Sequence, residues 1–426
     1  MSWIHHSLLV STVLAGSVIG LTSYTVVQAG DEFPGDPDLV CEELPVTERK
    51  QLLTEAALDR DIPPEILKAI AMRESSMNQC TSDGTPTYNL SDNDGGVGMM
   101  QITIDEGQTI NGREIDFERL GYDTAYNIEA GADMLLEKLR IVPRINDMRR
   151  DILEHWYFAV LAYNGLSVRN DANQYDDPWG NEDTYQSKIF SKVGTHSLIA
   201  IDPIPAYKTY YHPGSAIIRF ESSEKEWDVF TPSSQMFVPG DKAVVMNESP
   251  NPDTNNFTRL REGGNTQSRI LDRLPYYTDV TITGEPVYVD ANRDNHFLWY
   301  PVNAGGENGY LASSNLRVPR MLTFDIWGDE AVPEVALDKV WTIELNAPAD
   351  PDSVHPRNVY LQDEHGLGVF ADVALEDERT ITVTPRAGLT PDTGYTLHVQ
   401  ELVTRGGTTL DANIKKHFRT EAAPGD

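Results

Sequence analysis

Cysteine is nearly absent from this chain. Only Cys41 and Cys80 occur among 426 residues, too few soft ligands for a zinc or iron–sulfur centre, and no metal or other cofactor is expected. The pair brackets the first two helical segments and suits one disulfide in an oxidising compartment. A loop of this length contributes about 3 to 4 kcal/mol in the chain-entropy model; two unpaired thiols are the alternative. Positive charge is scarce too: 34 Lys plus Arg against 66 Asp plus Glu leave a net of -32. Such a surface repels nucleic acid and anionic lipid, so no nucleic-acid partner is expected. It fits salty or alkaline surroundings, or plain solubility. Beyond the N-terminus no segment is apolar for long enough to span a bilayer.

Residues 1–29 contain no Asp, Glu, Lys or Arg, and Leu8 to Val27 is nearly apolar, ending in the small-residue pattern Val27-Gln28-Ala29. That reads as a secretion signal. The n-region offers only His5 and His6, and an apolar run of about 20 residues also suffices to cross a bilayer, so a retained membrane anchor is the alternative. Under either reading the body of the protein is secreted or lies in the cell envelope, outside the cytoplasm. At 426 residues the chain exceeds the usual roughly 100 to 200 residues of one domain, which predicts two to four domains.

Residues 42–195 read as α-helical. Thr47 to Asp59 carries apolar Leu52, Leu53, Ala56 and Ala57, and Ile62-Pro63-Pro64-Glu65 opens a second helix with proline where its missing N–H is harmless. That helix runs through Ile66, Leu67, Ile70 and Ala71 into Arg73-Glu74-Ser75. Further helices are expected over Asn127 to Ile141 and over Asp151 to Asn164, the latter closed by Gly165. After residue 196 proline, aromatic and β-branched residues dominate, with turn signals at Pro213-Gly214 and Pro239-Gly240. Residues 196–240 read as an irregular linker or as extra strands of the next module. Short apolar runs over 241–320 predict a small β-barrel, and alternating runs over 321–421, such as Thr380-Ile381-Thr382-Val383-Thr384, predict a β-sandwich.

Glu74 follows Leu67 and Ile70 by seven and four residues, so a continuous helix puts its carboxylate on the apolar stripe. A carboxyl held there is disfavoured as an anion, which suits a general acid. A helix-end glutamate turned to solvent or paired with Arg73 is the alternative. Beyond it come Gly98-Met99-Met100-Gln101, Asn127-Ile128 through Gly131, and Ala162-Tyr163-Asn164. With Glu74-Ser75, these motifs in this order resemble the soluble lytic transglycosylases of the lysozyme-like superfamily. That family has a helix ending in Glu-Ser, then Gly-Leu-Met-Gln, Asn-Ile with a following Gly, and Ala-Tyr-Asn. The likeness covers residues 45–195 and implies a lysozyme-like fold. It makes Glu74 the acid and base. It assigns substrate contacts to Ser75, Met100, Gln101, Asn127, Tyr163, Asn164 and Tyr185, the last following Glu182-Asp183-Thr184. Tyr163 and Asn127 as hydrogen-bonded core residues are the alternative. Met99 departs from the family's leucine, the stretch between Glu74 and Gly98 is long, and Asp92 falls at or beside the family's serine.

Ordinary glycoside hydrolysis needs two carboxylates, and this motif set supplies only Glu74. The resemblance therefore implies cleavage between N-acetylmuramic acid and N-acetylglucosamine with a 1,6-anhydromuramic end. A second carboxylate from Asp92 or Asp94 would make the protein a hydrolytic muramidase. An inactive wall-binding protein is the other alternative. Leu260-Arg261-Glu262-Gly263-Gly264 with Gly309-Tyr310-Leu311 resembles a bacterial SH3-type domain, which implies binding of wall peptides; a barrel that is a mere spacer is its alternative. Leu389-Thr390-Pro391-Asp392-Thr393-Gly394-Tyr395 resembles the bacterial Ig-like repeats. The expected partner is the glycan strand of peptidoglycan.

Overall fold

The computed structural model describes residues 33, 35–36, 38–89, 95–104, 107–172, 184–247, 257–320, 322–328, 332–409 and 412–423. The chain is multidomain: an α-helical N-terminal unit precedes two strand-rich units. Six α-helices are described in the first: α1 (Val46–Leu58), α2 (Pro64–Ser75), α3 (Phe117–Tyr122), α4 (Thr124–Leu139), α5 (Tyr157–Tyr163) and α6 (Tyr185–Ser197). Local chemistry sets their starts. Pro64 takes the first position of α2, while the carboxylates of Asp116 and Asp123 cap α3 and α4, each cap being worth about 1 kcal/mol.

Helix α2 is the centre of this unit. Every residue from Pro64 to Ala71 is buried, and the helix packs against α1 on one side and α6 on the other. Two charged groups share that burial: Glu65 accepts from Ser233 Oγ at 2.7 Å and Ser234 N at 2.9 Å, and Lys68 donates to Gln235 Oε1 at 2.7 Å. A disulfide joins Cys41 to Cys80, tying the segment before α1 to the turn region after α2.

Residues 196–240 are neither a linker nor strands of the barrel over most of their length; they form a belt on the helical unit. Tyr207, Ile218, Trp227 and Val229 are buried in the same core as α2, α4 and α5. Arg144–Ile145 pairs in parallel with Glu224–Lys225, and the buried Glu154 carboxylate accepts from Thr231 N at 2.8 Å. The same belt explains a shortened helix. Where the pattern predicts helix over Asp151 to Asn164, Leu153 N and Ser233 N are bonded between the segment and the belt, to Thr231 O and Asp151 O, so α5 begins only at Tyr157 after a short 3-10 turn.

The second unit is a seven-stranded antiparallel sheet in the order Ile270–Pro275, Phe257–Arg261, Glu307–Ala312, Trp299–Ala304, Asp279–Ile282, Lys242–Val245, Leu316–Arg317. Leu274 near one edge and Leu316 at the other share one core with Val245, Leu260 and Tyr300, so the sheet curls on itself. The third unit packs two sheets about a core that includes Ile343, Leu361, Val383, Leu397 and Phe418, one built on Asn413–Thr420 and the other on Thr380–Pro385. Tyr277 of the second unit stacks on Tyr360 of the third with ring centroids 3.6 Å apart, and Asp279 N donates to Gly366 O at 2.7 Å.

Candidate active site

The helical unit converges on Glu74, one residue before the end of α2. Its apolar neighbours one and two turns back, Ile70 and Leu67, are fully buried, and the carboxylate itself is half-buried. Tyr185, the first residue of α6, donates its hydroxyl to Glu74 Oε1. Tyr163, at the end of α5, donates to Met100 O at 2.9 Å. Burial and the negative charge of Glu74 hold both phenols well above the usual tyrosine range, so they stay protonated as neutral donors. Ends of three helices thus bring one carboxylate and two buried phenols together.

The second wall is the loop Gly98-Met99-Met100-Gln101. Ser75 Oγ donates to Met99 O at 2.8 Å, coupling the loop to the residue beside Glu74. Asn127, fully buried, is its clamp: Oδ1 accepts from Met100 N at 2.8 Å, and Nδ2 donates to Val97 O at 2.9 Å and Leu120 O at 3.0 Å. The amide is engaged with backbone on both sides, which matches the core alternative and places Asn127 beneath the loop. Gly98 has φ +70°, and a Cβ there would lie 2.2 Å from Asn127 Nδ2. Gly131 leaves room for Met100, whose Cγ would meet a Cβ at 2.6 Å, so the Met100 side chain packs inward on α4. Gln101, at φ 50°, donates Nε2 to Gly98 O at 2.8 Å. Asn164 is exposed just past α5 and accepts from Asn170 Nδ2 at 3.2 Å.

Two further polar residues hold the site together. Gln79 accepts from Met99 N at 2.8 Å and donates to Gly121 O at 2.6 Å. Buried Asn170 donates to Gly165 O at 3.0 Å and accepts from Tyr185 N at 3.4 Å, joining the end of α5 to the start of α6. Neither belongs to a motif. The partners of Gln79 are backbone atoms 20 or more residues away, those of Asn170 lie on both sides of it at Asn164, Gly165 and Tyr185, and adjacency to Cys80 is the one local signal for Gln79. Beyond Glu74-Ser75, the chain turns through Ser76 and Met77 at φ 56° and 61°, consecutive left-handed residues of a kind costing about 1–2 kcal/mol each. Asp92 and Asp94 lie outside the described residues, as does the N-terminal apolar segment 1–29. Among the described residues, no group of three or more His, Cys, Asp or Glu is placed to hold a metal.

Residues 51–184 match the family model of the transglycosylase SLT domain, and residues 256–317 match that of the bacterial SH3 domain. The chain therefore carries an SLT domain followed by a bacterial SH3 domain. The SLT domain supports a lytic-transglycosylase-type, glycan-cleaving function on peptidoglycan. Both domains point to peptidoglycan as the bound polymer and to the periplasm or cell wall as the location. Among the described residues no helix is long and apolar enough to cross a membrane.

Among solved structures, the chain is similar to the N-terminal part of the bacterial S-layer protein SbsC, at 17% identity over 21% of this chain and 23% of that chain, with a TM-score of 0.19. It is also similar to CopC from Methylosinus trichosporium OB3b, at 15% identity over 23% and 90%, with a TM-score of 0.19. A third is the Bacteroides ovatus SGBP-B in complex with a mixed-linkage heptasaccharide, at 16% identity over 43% of each chain and a TM-score of 0.14. Scores this low carry no conclusion about this chain. No curated protein matches it.

Proposed function

We propose that the protein is a lytic transglycosylase that cleaves the β-1,4 bond from N-acetylmuramic acid to N-acetylglucosamine, with Glu74 serving first as acid and then as base. The observation that carries this reading is the convergence of Glu74, Tyr185 and the Met99–Gln101 loop at the end of α2, with Glu74 and the loop inside the match to the SLT domain and Tyr185 one residue beyond it. Glu74 gives its proton to the bridging oxygen as the bond to C1 breaks. The substrate's acetamido group supports the positive charge that develops. The carboxylate then takes the proton of the muramic O6, which closes on C1, so one proton is given and one recovered and no water is consumed. Tyr185 holds the carboxylate by a hydrogen bond that strengthens when Glu74 is ionised.

Asn164 and Gln101, at the ends of α5 and of the loop, are the proposed sugar contacts, and Asn127, Ser75, Met100 and Tyr163 support them. The bacterial SH3 domain is read as a binder of wall peptides and the C-terminal sandwich as an Ig-like spacer. Residues 1–29 are read as an export signal. Digestion of purified peptidoglycan followed by mass spectrometry of the fragments tests the reading. Anhydromuramic ends support it, reducing ends favour a muramidase, and failure to release fragments favours a binding protein.

A further inference from the structure

The bacterial SH3 domain touches the active-site helix directly. Arg293, in the loop ahead of the strand Trp299–Ala304, donates Nη1 to Ser76 O at 3.0 Å and to Asn78 Oδ1 at 3.1 Å. These acceptors belong to the left-handed turn that follows Glu74-Ser75. Arg49 of α1 grips the same turn from the other side, donating to Met77 O and, at 3.2 Å, to Asn78 Oδ1. Asn78 N in turn donates to Ser75 Oγ at 3.0 Å, so the clamp is joined through Asn78 and Ser75 to the residue beside Glu74.

The loop that carries Arg293 is itself held. Lys50 Nζ donates to Asn292 O at 3.1 Å and Asn295 O at 3.0 Å, and Lys68 Nζ, fully buried in α2, donates to His296 O at 3.1 Å. His296 N donates to His196 O at 2.9 Å, and the two imidazoles stack with centroids 4.7 Å apart. Contacts from α1, α2 and α6 therefore fix the barrel against the helical unit, and Arg293 carries that contact to the turn beside Glu74. A tether that swings freely on a linker has no need of a buried lysine and a guanidinium at this place.

We infer that Arg293 is a positioning residue for Glu74, so that the bacterial SH3 domain completes the catalytic unit by clamping the turn that ends α2. The inference rests on the reading of Glu74 as the acid. Both bonds leave the one nitrogen Nη1, so a lysine ammonium keeps the donors but, on its shorter side chain, reaches the two acceptors less well. The effect belongs to the geometry of the reacting carboxylate, and so to kcat, because Arg293 touches backbone and Asn78 rather than the sugar.

The test compares wild type, Arg293→Ala, Arg293→Lys and Glu74→Gln as full-length chains on purified peptidoglycan, with apparent kcat and KM measured below the unfolding onset of each. Arg293→Ala is expected to lower kcat about 10-fold, within the roughly 100-fold that a 1 Å misplacement can cost. KM should stay within about 2-fold of wild type, and Arg293→Lys should recover part of the loss. Wild-type kcat in Arg293→Ala alongside an inactive Glu74→Gln overturns the clamp and leaves Glu74 as the acid. A raised KM at unchanged kcat overturns it equally, since that marks lost binding. Full activity in Glu74→Gln removes the reading on which the clamp rests.

Discussion

Replacing Gly98 by alanine probes how the loop beside Glu74 is held. The new Cβ would lie 2.2 Å from Asn127 Nδ2, 2.7 Å from Asn127 Cγ and 2.7 Å from Gln79 Nε2, distances that no packed methyl tolerates. Both amides are buried and bonded to backbone, so neither moves without releasing partners. The left-handed φ of +70° adds about 1–2 kcal/mol for any residue with a Cβ. Expelling the Asn127 amide forfeits its bonds to Met100 N, Val97 O and Leu120 O, at about 1 kcal/mol each or more where a buried group is left unpaired. The total is about 3–6 kcal/mol, a large share of the roughly 5–15 kcal/mol by which domains are stable.

Denaturant unfolding of the full chain measures that loss. A cycle with Asn127→Ala isolates its origin, because the alanine at 127 removes the colliding amide in advance. Gly98→Ala should cost about 1–3 kcal/mol less in that background than in wild type. Activity should fall at least about 10-fold even where the variant is folded, since Met99 O and Met100 O would no longer seat Ser75 and Tyr163. A loss below about 1 kcal/mol, or strict additivity with Asn127→Ala, would refute the reasoning.

Other consequences are as direct. Tyr185→Phe removes the hydroxyl that donates to Glu74, so kcat should drop and the alkaline limb of the pH–activity profile, where Glu74 loses the proton it must give first, should move to higher pH, the carboxylate having lost a donor that favours its ionised form; an unmoved limb contradicts this. His398 lies between Tyr360 and Phe324, with centroids at 4.6 and 5.2 Å, and burial, aided by Lys415 and His417, pushes it down to about 4. Its folded value is below that of the unfolded chain, which therefore takes up the proton first. Stability should fall between pH about 6.5 and about 4, by up to about 3 kcal/mol. His398→Phe should blunt that loss in thermal unfolding at pH 7 and pH 4.5, and equal acid sensitivity in both proteins counts against it. Reduction of Cys41–Cys80, or Cys80→Ser, should destabilise the chain by about 3–4 kcal/mol, seen as a lower melting temperature that reductant no longer changes in the variant.

What was legible in the sequence follows from periodicity and fixed spacing. Leu67, Ile70 and Glu74 share a stripe at any helix phase, and the structure keeps them there. The glycines of two motifs were legible as landmarks, while their reasons are contacts: Gly98 makes room for Asn127, and Gly131 for Met100. The orientation of an amide cannot be read from spacing, which leaves Asn127 open between a cleft contact and a hydrogen-bonded core residue; in the structure its amide lies under the loop, bonded to backbone. The belt was illegible for a different reason. Its strands at Thr209–Tyr210, Arg219–Phe220 and Glu224–Lys225 are two residues long, too short for an alternation to register. Tyr207 and Trp227 nonetheless bury against α5, meeting Phe158 at 5.0 and 5.2 Å. Arg293 sits in a loop of the barrel, where a lone arginine has no local mark of its distant partner.

In the proposed mechanism one carboxyl acts twice and water takes no part. Digesting peptidoglycan with the wild-type protein in oxygen-18 water, and weighing the released fragments, tests it most directly. Transfer to the muramic O6 predicts new ends that carry no oxygen-18 and are lighter by one water than reducing ends. One oxygen-18 in each new reducing end would contradict it and assign the protein to hydrolysis.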